Sequence, residues 1–368
     1  MKSFFNILFV GPLHYGSTCN GKLDGLIKIG NMVDVIDTSK WLNSNFRLVN
    51  SFTKRTYLSI SVLKINLRVI KFSFKKKYEL VWIEKGEWLY PFTLYYLKNN
   101  NSKLINYNTD NIFFSKGSFW LHRLGIKYYD LYLTTNRLNV IEIKNKYQIK
   151  TMRVGCGFDS NLHYKDQSNK NPTKIYDLIF IGHWEPHTEK YILELKRAGI
   201  KVNVWGHNWR HSKNSELRMT LPLNQVEFRD VVANAKIALC FLSRWNMNES
   251  TGRSFEIPAI GTFMLAQYTN EHFYIYGSGA AFFSSIDELI IKAKYYLKNE
   301  NEREQIALLG NRISLSPGYS WSDQLSLEWE SILFFLNDQT DQSIYKINDI
   351  YWNGYRQGVE APISRLVI

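Results

Sequence analysis

The sequence predicts an α/β protein built from two Rossmann-like βαβ domains that face a central cleft. Three observations predict it. Short apolar runs of strand length alternate with helix-length segments, as parallel sheets with crossover helices require. The pattern runs through twice, and each pass opens with an apolar strand leading into a glycine: Ile7-Leu8-Phe9-Val10-Gly11 and Leu178-Ile179-Phe180-Ile181-Gly182. Between the passes, Tyr164 to Lys174 is polar and reads as a linker. The 368 residues fit two domains at about 150 residues each.

Taken in order, the first half offers strands at Asn6–Val10, Met32–Ile36, Leu80–Glu84, Lys103–Tyr107, Asp130–Thr134 and Ile149–Val154. The second offers Ile175–Ile181, Lys201–Trp205, Ile237–Leu242, Thr262–Ala266 and Ala281–Phe283. Helices are expected over Glu189–Ala198, stopped by Gly199, and over Gln225–Ala235. A helical stretch at Trp321–Leu336 precedes an aromatic-rich tail. The domains are therefore set at 1–162 and 173–330, with a linker at 163–172. The tail, 331–368, is expected to pack back on the first domain. Ligands of open α/β folds bind outside the carboxyl ends of the strands, so the cleft is the expected site.

Composition narrows the classes. Hydrophobic residues make up 45% and aromatics 15%, enough for a large core and against wholesale disorder. No apolar run approaches the roughly 18 residues of a membrane span. The N-terminal run is short, is interrupted by Asn6 and lacks a small-residue cleavage site, so it reads as a buried first strand rather than a signal peptide. Cys19, Cys156 and Cys240 are far apart and odd in number, which argues against a disulfide scaffold or a cysteine-rich zinc site. A cytoplasmic location is expected.

The net charge of +13 is concentrated. Between Thr38 and Tyr78 no Asp or Glu occurs, whereas Lys40, Arg47, Lys54, Arg55, Lys64, Arg68, Lys71, Lys75, Lys76 and Lys77 do. Apolar residues interleave with them, so one or two basic-faced helices are expected across 40–77. Such a face is either a solvated surface or an attraction to an anionic membrane or phosphorylated acceptor, on the inner face of the membrane. Nucleic acid is not expected, because no zinc finger, RNA-recognition signature or helix-turn-helix accompanies the charge.

The two glycine loops lack G-x-G-x-x-G, and their bulky residues hinder close approach of a dinucleotide pyrophosphate. No Walker A lysine occurs either. The informative segment is Asn248 to Leu265, lying between two strand candidates. Ser250 or Thr251 can cap a short helix, whose N-terminal N–H groups at Gly252 and dipole suit a diphosphate. Arg253 would add a charged donor in the first turn. Glu256 lies a turn further on, where a carboxylate can accept from both ribose hydroxyls. The same spacing also fits a plain crossover helix with an Arg253–Glu256 (i, i+3) ion pair. His183/His187 and His207/His211 stand at i, i+4, but Pro186 argues against one helix carrying the first pair, and no metal site is expected. Trp205 is expected in the core.

The run Arg253-Ser254-Phe255-Glu256-Ile257-Pro258-Ala259-Ile260-Gly261 resembles the nucleotide-sugar site of GT-B glycosyltransferases, and most closely the CgeB-like (spore-maturation-type) group. Phe180-Ile181-Gly182-His183-Trp184, Val204-Trp205-Gly206-His207-Asn208-Trp209 and Thr269-Asn270-Glu271-His272 are similar to that group too, as are Val81 to Gly86 and Tyr107 to Asn111. The resemblance implies a metal-independent, glycosyltransferase family 4-like transferase that needs no cofactor beyond a nucleoside-diphosphate sugar, with UDP favoured over GDP. It implies a donor site of Gly182, His183, Trp184, Gly206, Ser250, Thr251, Gly252, Arg253, Glu256, Asn270, Glu271 and His272. The acceptor would be a glycan, a lipid-linked glycan or a cell-surface polymer precursor. His14, then Glu84 and Asp110, are the candidates for the base that deprotonates it, His14 first because imidazole titrates near neutrality. The sequence departs from the pattern at Asn248, where many retaining members carry a second glutamate, with Glu249 one position off, and at Asn111. A non-catalytic GT-B-like binding or assembly protein is the alternative.

Overall fold

The computed structural model describes residues 4–42, 47–114, 119–166 and 174–337; within 42–50 and at position 54 no side chain is described. The chain divides into two compact units. Of the described residues, the first holds those up to Gly155, Trp245–Met247 and those from Ser322 to Asn337; the second holds those of Cys156–Arg244 and Asn248–Trp321. The chain thus passes between the units at 155/156, 244/245, 247/248 and 321/322. Residues 167–172 of the expected linker and the tail beyond residue 337 lie outside the described residues.

The first unit is a parallel six-stranded sheet in the order β2-β1-β3-β4-β5-β6. Its strands are β1 (Asn6–Gly11), β2 (Met32–Asp37), β3 (Leu80–Glu84), β4 (Lys103–Asn108), β5 (Leu131–Thr134) and β6 (Lys150–Arg153). Central strands of such sheets are covered on both faces and read as continuous apolar runs. Accordingly Ile7, Leu8, Phe9 and Val10, and Leu80 through Ile83, are all buried. The register sets Gly11 beside Asp37 and Val10 beside Ile83. The chain runs from β1 to β2 on one side and to β3 on the other, so the switch point lies at the carboxyl ends of β1 and β3.

The basic region forms three helices rather than the expected one or two: Ser39–Leu42, Arg47–Thr56 and Ile60–Lys75. The second and third are divided at Tyr57-Leu58-Ser59, where Tyr57 turns left-handed at φ +57°. Ser59 Oγ accepts the Val62 N–H at 3.3 Å and starts the third helix. Val62, Ile65, Asn66 and Val69 form its buried stripe. Buried Asn66 spans from this helix to the next loop: its amide donates to Val62 O and Trp88 O, and its Oδ1 accepts the Tyr90 N–H. The opposite stripe is exposed and carries Ile60, Leu63, Lys64, Leu67, Arg68, Lys71, Phe74 and Lys75, with no acidic residue. Ile60 is 74% and Phe74 72% exposed. Arg47 and Lys54 lie outside the described side chains.

The second unit is a parallel five-stranded sheet in the order β11-β10-β9-β7-β8. Its strands are β7 (Tyr176–Ile181), β8 (Val202–Trp205), β9 (Ala235–Cys240), β10 (Phe263–Gln267) and β11 (Ala281–Phe283). Pro186 begins a helix at its first position, where its missing N–H costs nothing, so Pro186–Arg197 starts earlier than expected. Asn224 and Glu227 form a capping box for Gln225–Ala233. The helix Trp321–Asn337 matches the expected helical stretch, and residues 322–337 belong to the first unit. There Leu325 packs on Gly25, and Lys28 Nζ donates to Ser322 Oγ at 2.7 Å. No described helix is long and apolar enough to cross a membrane.

Candidate donor site

In the second unit β7 sits between β8 and β9, so the switch point lies outside the carboxyl ends of β7 and β9. Three segments meet there: the loop after β7, the loop after β8, and the chain from β9 into the helix Gly252–Ile260.

The first two loops lock through glycines. Gly182 N–H donates to Trp205 O, and its own carbonyl accepts the Trp209 indole N–H at 3.0 Å. Gly206 adopts φ +147°, and a Cβ there would stand 1.8 Å from Gly182 O. Only glycine fits. We expect Gly206→Ala to lower the melting temperature by more than about 6 °C, as overpacking plus backbone strain of about 3 kcal/mol or more requires. Gly199→Ala is the control: its φ is also positive, at +80°, but its Cβ would touch nothing. Equal shifts in calorimetry would refute the close-approach argument.

This locking also corrects the tryptophan assignment. Asn208, left-handed at φ +68°, turns Trp209 into the core, whereas Trp205 is only half buried, edge-on to Tyr176. His183 is exposed beside His207, ring centres 5.4 Å apart. Trp184 is committed inward: its N–H donates to Glu189 at 2.6 Å and its ring packs on the core. Its indole nitrogen is therefore not available to a base or phosphate.

The helix Gly252–Ile260 begins at Thr251, whose N–H is accepted by Ser254 Oγ, and ends at Gly261 in the left-handed region. Pro258 interrupts its interior, and buried Asn311 answers by donating to the Pro258 and Ala259 carbonyls. Arg253 is fixed on three sides. Its Nε donates to Ile181 O at 3.2 Å, its Nη1 to Glu256 Oε2, and its guanidinium lies 4.0 Å over the Phe228 ring. Its side chain remains 33% exposed, with Nη2 uncommitted among the described contacts. The Glu256 carboxylate is buried. Burial alone would raise its pKa, but the Arg253 guanidinium beside it holds Glu256 below the usual glutamate range. The (i, i+3) ion pair is present, and it orients both groups at the helix start.

Several expected donor residues instead sit behind that helix. His272 is fully buried: Nδ1 faces Gln267 O at 2.8 Å and so carries the proton, and Nε2 accepts from Ser254 Oγ at 2.7 Å. Burial pushes its pKa down. Buried Ser250 donates to Glu271 at 2.8 Å, and Thr269 Oγ1 donates to Glu249 O at 2.7 Å. Ser250, Glu271 and His272 therefore brace the 249–254 loop rather than face a ligand. Asn270 is exposed and accepts from Tyr268. His163, Gln225 and Phe228, which the sequence did not mark, complete the surroundings of Glu256.

The expected bases of the first unit separate. His14 is exposed at the tip of the loop after β1, which Asp37 anchors by accepting the Leu13 N–H. Glu84 must be withdrawn as a base. Its side chain is 1% exposed, 2.7 Å from Lys22 Nζ, and it accepts the Trp82 indole N–H at 2.8 Å. Asp110 pairs with Lys85 at 3.1 Å, both partly exposed at the carboxyl ends of β4 and β3. Lys85 is left-handed, φ +60°, yet pinned by its N–H to Tyr107 O and by Asn108 Nδ2 on its carbonyl. Burial, with help from Asp110, raises the neighbouring Glu87 above the usual glutamate range against the pull of Lys85. Asn111 N–H donates to Asn246 Oδ1, and Trp245 leans on Phe114, 6.2 Å between ring centres. Among the described residues no group of three or more His, Cys, Asp or Glu could hold a metal ion.

Residues 188–325 match a family model described as glycosyl transferase-like. No curated protein matches the chain. Among solved structures, sucrose-phosphate synthase from Thermosynechococcus elongatus aligns over 89% of this chain and 99% of its own, with a TM-score of 0.63 at 11% identity. HepE from Anabaena in complex with UDP-glucose aligns over 89% and 100%, with a TM-score of 0.55 at 13% identity. A UDP-forming α,α-trehalose-phosphate synthase from Burkholderia xenovorans aligns over 93% and 100%, at 0.55 and 10%. The class this defines is the GT-B fold, two Rossmann-like units in one chain.

Proposed function

We propose that this chain is a glycosyltransferase that moves a sugar from a UDP-sugar to a glycan, lipid-linked or cell-surface polymer acceptor. One observation carries the reading: Arg253 and Glu256 are held together at the first turns of a helix on the switch point of the second unit. The helix start and Arg253 can stabilise a diphosphate as the anomeric carbon–oxygen bond breaks, which needs no metal ion. Glu256 can accept from the ribose hydroxyls. The acceptor oxygen forms the new bond and gives its proton to a base, for which His14 and Asp110 remain candidates. The match to the glycosyl transferase-like model spans this helix, and HepE, which shares the fold, binds UDP and UDP-glucose. CgeB-like and family 4-like membership rest on the sequence resemblance.

The outward stripe of Ile60–Lys75 supports an acceptor at an anionic membrane surface, because apolar side chains can enter the interface while lysines reach the headgroups. Co-sedimentation with anionic but not neutral vesicles, lost at high salt, is the corresponding result. Asn248 favours a second reading, a non-catalytic binding or assembly protein, because it replaces a glutamate common in retaining members. One experiment separates the two. Melting curves with UDP, GDP, CDP and ADP should show stabilisation by UDP, roughly 2.7 kcal/mol at 100 times its dissociation constant. UDP-sugar hydrolysis should accompany it. Binding without turnover favours the second reading, and no stabilisation by any nucleotide refutes the donor site.

A further inference from the structure

The Glu256 carboxylate has a second neighbour, supplied by the segment that follows the first unit. His163 is buried, and its Nδ1 accepts the Asp159 N–H at 3.3 Å. That bond puts the ring proton on Nε2. Nε2 faces Gln225 Oε1 at 3.4 Å and Glu256 Oε1 at 4.0 Å. The latter is one small movement short of a hydrogen bond. Phe228 stands edge-on to the His163 ring while Arg253 lies over that same aromatic ring. Gly252 leaves room for this arrangement, since a Cβ there would come within 3.1 Å of Glu256 Oε1. Arg253 thus holds one carboxylate oxygen, and His163 stands at the other.

A diphosphate at the helix start would compete with Glu256 for Arg253. A buried carboxylate that loses part of its cation must gain another donor or take up a proton, and a protonated Glu256 accepts fewer bonds from ribose. We propose that His163 is a positioning residue of the donor site, whose Nε2–H closes on Glu256 as a nucleoside diphosphate engages Arg253, so that the carboxylate stays aimed at the ribose hydroxyls. The inference rests on the donor-site reading above.

Calorimetric titrations with UDP and 2′-deoxy-UDP test it in wild type, His163→Gln and His163→Asn. Glutamine can set an amide N–H near the place of Nε2; asparagine is too short. Wild type should prefer UDP over 2′-deoxy-UDP by about 10-fold or more, as a hydrogen bond to a charged group gives. His163→Gln should keep that preference, and His163→Asn should shrink it to within about 3-fold. Equal weakening of both ligands in a folded His163→Asn would mean a merely structural role and overturn the proposal. A wild-type measurement covers the case in which the asparagine variant does not fold. The His163 Nε2–H resonance should move downfield on adding UDP, and an unmoved resonance also overturns it. If UDP does not bind wild type at all, the donor reading fails first, and this inference with it.

Discussion

Glu256→Gln should weaken UDP binding by about 100-fold or more while leaving the protein folded. The substitution keeps the shape and removes the charge. Two ribose hydroxyls would each lose a bond to a charged acceptor, and such bonds are worth about 1.5–3 kcal/mol apiece, against 1.36 kcal/mol per tenfold in affinity. The fold should survive because Arg253 keeps its bond to Ile181 O and its place over Phe228. The Thr251–Ser254 start and the Asn311 bonds at the far end also stay. Titration calorimetry on wild type and variant gives the ratio, with melting curves confirming folding. A loss under about 3-fold would show that the carboxylate is only the ion-pair partner of Arg253, the plainer reading of the same spacing.

The architecture was legible because its signals are local. β1 and β7 are continuous apolar runs ending in glycine, and buried parallel strands leave no other reading. The helix at 252–260 is legible from the cap candidates Ser250 and Thr251 before it, and the structure chooses Thr251. The errors at the site have a common cause: sequence places a side chain on an element but not on the side of it that a distant partner selects. Glu84 stands at a strand end before a glycine, where a catalytic acid belongs by position. Its cation, Lys22, comes from the helix after β1 and turns the carboxylate inward. His272 follows a motif that resembles a ligand-binding run, yet Ser254 and Gln267 claim both its nitrogens. Trp205 and Trp209 were told apart only by the left-handed turn at Asn208. His163 carried no local signal, because its meaning depends on Glu256 and Gln225, which are distant in sequence.

Lys22→Met should destabilise the first unit by about 3–5 kcal/mol, the usual cost of removing one partner from a buried ion pair. Lys22 Nζ lies 2.7 Å from Glu84, with both side chains nearly inaccessible, and 3.9 Å over the Tyr107 ring. Without the cation, the Trp82 N–H and the Cys19 thiol are what remain of the contacts to Glu84. Burial and Glu84 push the Cys19 thiol up to about 12, so it stays a neutral S–H donor to the carboxylate. Glu84 is then a buried carboxylate with no cation beside it, the situation that makes half a buried ion pair costly. The double variant Lys22→Met/Glu84→Leu should regain most of the stability, because an apolar pair of similar volume avoids the desolvation that the ions incur. Denaturant melts of the wild type and the two variants decide it, and a double variant no more stable than Lys22→Met would refute the pair as the cause. The double variant also settles the chemistry. If it folds and still turns over a UDP-sugar, Glu84 is not the acceptor base, and the search narrows to the exposed ends of β1 and β4, where His14 and Asp110 stand.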